Sequence, residues 1–234
     1  PARQGSLQVE MLAAARRHGM LSYQLAPRFE NLLREVAAGT PVIVLQDYGV
    51  WPFSLWHYAV VVGYDHENSE VLLRSGEKQR LRMPFAVLEY TWRDNGYWAM
   101  VAVPPDQVPA TATEPEYLAA VLALERIGDT RAARSGFAAL LGRWPGNLSA
   151  SIGLANSYYK LGELQQSEAV LRGAAGDHPD SVIVLNNLAQ ILSDLGRNDE
   201  ALPLINRAIA LGGPFVDAAR ETRVAILKKL DKSN

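Results

Sequence analysis

Glycines stand at Gly128, Gly162 and Gly196, a step of 34 residues, and other columns keep the same step. Ala133, Ser167 and Ala201 form one; Phe137, Leu171 and Ile205 another; Pro145, Pro179 and Gly213 a third. Ahead of each glycine, Ala120, Leu154 and Leu188 align, as do Val121, Ala155 and Ala189, and Leu124, Tyr158 and Leu192. A chain with this period is tightly constrained, because no single unit of that length covers its own apolar surface and neighbouring units must stack. Each column has a packing reason: small residues where two helices touch closely, large apolar residues where the next hairpin stacks, and a turn residue where the chain reverses. The period predicts three helical hairpins over residues 114–213. Beyond them Val216, Ala219, Val224, Ile226, Leu227 and Leu230 share an amphipathic pattern that ends in Lys228 and Lys229. Lysines suit a helix C-terminus, so residues 214–234 read as a capping helix.

The first hundred residues follow a different rhythm. Residues 7–18 and 28–38 have helical patterns that stop at Gly19 and Gly39. Val- and Tyr-rich runs at 41–45, 57–64, 70–74 and 97–103 have strand length and are bounded by turn residues, which predicts an antiparallel sheet. Helices followed by a cluster of strands give an α+β class. Residues 104–113 contain three prolines among small polar residues and read as an extended linker, so residues 1–103 form a first domain.

Composition narrows the function. A chain of 234 residues with net charge −2 and interspersed charges gives no support for nucleic-acid binding. The densest basic stretch, Arg74, Lys78, Arg80 and Arg82, fits the wet face of a strand. No apolar run approaches the roughly 18 residues of a membrane span. With no cysteine, the chain holds no disulfide, thiolate metal site or Cys nucleophile. The histidines His18, His57, His66 and His178 lack ligand spacing, so neither metal nor cofactor is expected. Residue 1 is Pro, which reads as a processed product or a piece of a longer chain.

The 34-residue columns resemble the tetratricopeptide family over about residues 114–211, with Val121, Ala155 and Ala189 where that family's first helix usually has a glycine. The resemblance implies an all-α solenoid whose first helices supply a concave face: Leu118, Leu122, Glu125 and Arg126, then Ile152, Asn156, Tyr159 and Lys160, then Asn186, Gln190 and Ser193. Amides, an aromatic and a charge at Asn156, Tyr159, Lys160, Asn186 and Gln190 can grip an extended peptide through its backbone. Packing within the protein, or between copies of it, is the other use of such a face. Asn156 and Asn187 occupy the positions of a carboxylate clamp, but Asn186 takes the place of its lysine, so a chaperone-tail clamp is not implied.

In the first domain an apolar strand leads to Trp51, Pro52 and Phe53, and then Trp56-His57-Tyr58 opens a strand ending in Gly63-Tyr64-Asp65. This segment, with the helices before it, resembles the papain-like C39 peptidases over about residues 5–103. Members of that family act through Cys, His and Asp. His57 matches the histidine, and Ser75 falls at the position of the Asp. A Ser hydroxyl can orient the ring but does not compensate an imidazolium as a carboxylate does. A serine nucleophile at Ser54 or Ser75 lacks a Gly-x-Ser-x-Gly setting. Tyr48, Trp51, Phe53, Trp56 and Tyr58 either line a peptide cleft or pack the loop, and Trp92 and Trp98 cover the core.

The combined expectation is an α+β papain-like partial domain followed by an all-α tetratricopeptide solenoid. It would serve as a protein- or peptide-interaction module, catalytically inactive as this chain. The alternative is the remainder of a C39-like cysteine peptidase whose nucleophile lies upstream of Pro1. A segment of its own upstream chain or a second copy are further candidate partners, and the resemblance implies a bacterial cell envelope or periplasmic location, with a lipid anchor.

Overall fold

The computed structural model describes residues 7–49 and 53–231. The chain divides into two compact units, Pro1–Ala132 and Ala133–Asn234. The division falls past the Pro-rich segment, inside a helix of the repeat region.

The first unit runs α1 (Gln8–Arg17), β1 (Leu21–Gln24), α2 (Phe29–Ala37), β2 (Val42–Asp47), β3 (Trp56–Asp65), β4 (Glu70–Ser75), β5 (Lys78–Pro84), α3 (Phe85–Arg93), β6 (Ala99–Val103) and α4 (Glu114–Arg126). Its six strands form one antiparallel sheet in the order β1-β6-β2-β3-β4-β5. The α+β class holds, with three elements beyond those expected. β1 is only four residues long, too short for a period to show. β5 is an edge strand in which Lys78, Gln79, Arg80 and Arg82 are exposed and Met83 is buried, so its alternation is faint in the sequence. α3 starts directly after Pro84 and buries Leu88, Thr91 and Trp92.

Strand alternation gives the sheet two different faces. On one, Leu45, Trp98 and Met100 pack with Met11, Leu12 and Ala15 of α1. On the other, Val42, Val44 and Gln46 of β2 lie beside Val61, Ala59 and His57 of β3. The four apolar members are buried, each Val stabilising by about 1.5–3 kcal/mol relative to exposure. Gln46 is a polar side chain at 0% exposure in this apolar row.

Residues 104–113 carry no helix or strand, but they are not loose. The fully buried Glu35 on α2 accepts hydrogen bonds from the main-chain N–H groups of Ala110 (3.2 Å) and Thr111 (2.7 Å) and from the Thr111 hydroxyl (2.6 Å). Arg34 donates to the Ala110 carbonyl at 3.1 Å. One carboxylate thus satisfies donors that an extended, Pro-rich strand cannot pair locally.

The second unit is helical: most of α5 (Thr130–Arg143), then α6 (Leu148–Lys160), α7 (Leu164–Asp177), α8 (Val182–Asp194), α9 (Asn198–Leu211) and α10 (Val216–Leu230). The repeat columns have the physical meaning their spacing predicts. Gly128, Gly162 and Gly196 take φ of +83°, +77° and +79°, a conformation that favours glycine, at the turn between paired helices. Ala133, Ser167, Ala201, Phe137, Leu171 and Ile205 are all buried. α10 packs on α8 and α9 through Ala219 and Ile226. Asn147 and Ser181 cap α6 and α8 by accepting from Ala150 and Val184.

Two ion pairs link successive second helices. Arg134 of α5 meets Glu163, at the start of α7, at 3.0 and 3.2 Å. One repeat later Glu168 of α7 meets Arg197, at the start of α9, at 2.8 Å through both oxygens. The positions are equivalent, and the charges are exchanged.

Two substitutions test this packing. A Cβ on Gly153 of α6 would lie 2.4 Å from the ring of the buried Phe137. Gly153→Ala is therefore expected to destabilise by about 1–3 kcal/mol, against the ~1 kcal/mol that alanine gains in an open helix; unchanged denaturant unfolding would contradict the contact. Glu35→Ala should lower the stability of the first unit by about 1–3 kcal/mol, by orphaning the donors of Ala110 and Thr111. Faster hydrogen exchange at those two amides is the accompanying sign.

Candidate functional site

In the first unit the site grows from the polar end of the β2–β3 ladder. Gln46 pairs with His57 across the strands, so both side chains project to the same face. Ser75 at the end of β4 brings its Oγ to 2.8 Å from His57 Nε2, and the Tyr48 ring lies 5.8 Å from the imidazole, centroid to centroid. Tyr48 OH donates to Gln46 Oε1 at 2.9 Å. Gln46 Nε2 donates to Thr91 Oγ1 on α3 at 2.8 Å. Burial pushes the Tyr48 hydroxyl up.

The proton directions from α3 to Tyr48 follow from the far end. Thr91 donates to the α3 carbonyls of Val87 (3.0 Å) and Leu88 (3.1 Å), so it accepts from Gln46 Nε2. That fixes the amide orientation and leaves Gln46 Oε1 to accept from Tyr48. The His57–Ser75 bond has two forms: a ring protonated on Nε2 donates to the Ser75 hydroxyl and has Nδ1 as its basic nitrogen, whereas a ring protonated on Nδ1 accepts from Ser75 at Nε2.

The loop before His57 is tied down by Asp47, whose carboxylate accepts from the N–H groups of Gly49 (2.8 Å) and Leu55 (2.7 Å). Burial opposes the charge on Asp47, but these bonds outweigh it and hold the carboxyl below its usual range. Gly49 has no room for a side chain, since a Cβ would meet the Phe53 carbonyl. Of the aromatics expected around His57, Trp51 lies outside the described residues. Trp56 and Tyr58 alternate to the opposite face, where Tyr58 meets Trp98 edge-on. An aromatic cleft around His57 is thus reduced to Tyr48 among these strand residues. Trp92 and Trp98 are buried, with Trp92 Nε1 donating to the Trp98 carbonyl.

Sequence reasoning did not single out Gln46 or Thr91. The available signal was a glutamine in the inward register of a strand otherwise built from Val42 and Val44.

In the second unit Asn156 and Tyr159 of α6, Asn186, Asn187 and Gln190 of α8, and Thr222 of α10 line a cavity of about 160 Å3 whose floor includes Leu171. Four of the five expected peptide-contact residues are brought together. Lys160 is exposed on α6 and outside the cavity lining. Ser193, expected on the concave face, is buried instead and donates to Asn198 at the start of α9. Asp194 accepts from Tyr159 OH (3.1 Å), Gln190 Nε2 (3.0 Å) and Lys229 Nζ (2.9 Å). Burial works against its charge, yet these three donors hold its carboxyl below the usual range. The amide of Asn186 donates to Asn187 at 3.3 Å, while its Oδ1 is buried and has no hydrogen-bond partner among the described residues.

Comparison with known proteins adds two family matches. Residues 13–100 match the Peptidase_C39 like family, and residues 118–182 and 152–214 match Tetratricopeptide repeat. No curated protein matches the chain. Among solved structures, the Sgt2 TPR domain from Aspergillus fumigatus is 16% identical with a TM-score of 0.48, over 52% of this chain and 81% of that one. The TPR2B-domain:pHsp70-complex of yeast Sti1 is 14% identical with a TM-score of 0.47, over 50% and 97%. YrrB, described as a TPR protein with an unusual peptide-binding site, is 18% identical with a TM-score of 0.44, over 49% and 59%. The chain thus joins a region that matches the Peptidase_C39 like family to a region that matches tetratricopeptide repeats.

Proposed function

We propose that this chain is a protein- or peptide-interaction module, that the amide-lined cavity between α6 and α8 takes an extended peptide segment, and that the peptidase-like unit is catalytically inactive in this chain. The observation that carries the reading is the buried, unpartnered Oδ1 of Asn186 beside that cavity. A buried acceptor without a donor costs about 1–3 kcal/mol, and a main-chain N–H of a bound peptide is the group that relieves it. Asn156, Asn187 and Gln190 supply further amides around the cavity, while Leu171 offers an apolar floor. The lack of any cysteine in these residues supports the inactive reading, since there is no thiol for His57 to activate.

A second reading is that His57 is the base of a C39-like cysteine peptidase whose nucleophile lies upstream of Pro1. The Ser75 hydroxyl at His57 Nε2 supports it, because a ring that donates there keeps a basic Nδ1 for a thiol. A bacterial envelope or periplasmic location, with a lipid anchor, is the location that the C39 resemblance supports. Among the described residues no helix is long and apolar enough to cross a membrane.

Two measurements separate these readings. Octapeptides selected from a random library on the whole chain should lose about tenfold or more in affinity on Asn186→Leu, while that variant unfolds at higher denaturant because the orphaned acceptor is gone. Selected peptides that bind parent and variant alike would sink the groove reading. On the peptidase reading, long-range proton–nitrogen NMR at alkaline pH should show His57 protonated at Nε2, donating to Ser75. A ring protonated at Nδ1 removes the base from the peptidase reading.

A further inference from the structure

Within the first unit, α1, β1 and α4 enclose a cleft of about 410 Å3 that has no part in the His57 network. Three features converge on it. Leu12, Leu25, Ala119 and Ala123 make its walls apolar. Arg16 of α1 projects into it half-buried and, among the described residues, its side chain donates to the Ser22 hydroxyl at 2.9 Å. The cleft lining also holds the Glu116 carboxylate, which accepts from the Tyr23 and Thr113 hydroxyls at 2.7 and 2.8 Å. Burial first, and then Arg126, push the guanidinium below its usual range.

The third feature is the sheet edge. β1 is an outer strand. Leu25 N donates to the Ala99 carbonyl at 3.0 Å, so the alternate residues Leu21 and Tyr23 direct their main-chain groups towards β6. Ser22 and Gln24 therefore turn their N–H and C=O groups away from β6, and both line the cleft. Tyr23 is already occupied, donating to Glu116 at 2.7 Å.

We propose that this cleft binds the C-terminal end of a short apolar peptide, its carboxylate on Arg16 and its last peptide groups against the outer edge of β1. A guanidinium with most of its five donors free is suited to a planar carboxylate. An unpaired strand edge supplies main-chain bonds, and the alanines of α4 leave room for aliphatic side chains. The chemistry does not call on the repeat cavity, so this site stands or falls independently of it.

The test is calorimetric titration of the whole chain with N-acetyl-leucyl-leucine, its C-terminal carboxamide and hexanoate. The free acid should bind, and the carboxamide should bind at least about tenfold more weakly. Arg16→Gln should lose a similar factor, whereas Arg17→Gln, on the exposed neighbour, should not. Ala119→Leu, at an exposed helix position, narrows the cleft without disturbing the core and should also weaken binding, which guards against a folding defect in Arg16→Gln. Asn186→Leu should leave this affinity unchanged. Equal binding of acid and carboxamide, equal binding of hexanoate, indifference to Ala119→Leu, or no binding of the free acid would each overturn the proposal.

Discussion

A two-helix hairpin has more apolar surface than it can cover by itself, and that shortage organises the repeat region. Phe137, Leu171 and Ile205 are buried only because another hairpin lies against each, and Ala219 and Ile226 of α10 complete the core around α8 and α9. Stacking demands close approach, which explains why Gly153 admits no Cβ beside Phe137 and why Ser167, a hydroxyl in an apolar column, is tolerated: it donates to the Ala155 carbonyl of the paired helix. The cavity between α6 and α8 is a by-product of the same geometry. Its amides sit on the face that the stacking does not use.

In the first unit the organising constraint is a polar side chain where the strand pattern calls for an apolar one. Gln46 is stable at full burial because Tyr48 and Thr91 satisfy both ends of its amide, with Met83 Sδ a further acceptor. That requirement ties α3 to β2 at this point. His57 is held on the same face by the Ser75 hydroxyl, a neutral group that orients the ring without giving it a counter-charge.

Much of this was legible in the residues themselves. The 34-residue columns specified three hairpins, their turns and their buried faces, since each column reports one local contact. His57 with Ser75 could be grouped in advance through the C39 resemblance, and Asn156 with Tyr159, Asn186 and Gln190 through the tetratricopeptide one. The features that escaped depend on partners distant in sequence. Gln46 needs Thr91, and Glu35 needs Thr111, pairs that no local period records. Ser193 was misplaced because its helix position is compatible with either face until Asn198 is seen beneath it. β1 and β5 were too short or too polar to carry a pattern.

The exchanged ion pairs between successive second helices have a consequence for how many units the array can contain. If the middle hairpin were deleted and its neighbours joined in the same register, Arg134 would face Arg197. If it were duplicated, Glu168 of one copy would face Glu163 of the next. Either change sets like charges together at a partly buried contact. The native order alone pairs opposite charges at both junctions, so the array carries its own count and resists the gain or loss of a unit by recombination between its similar segments.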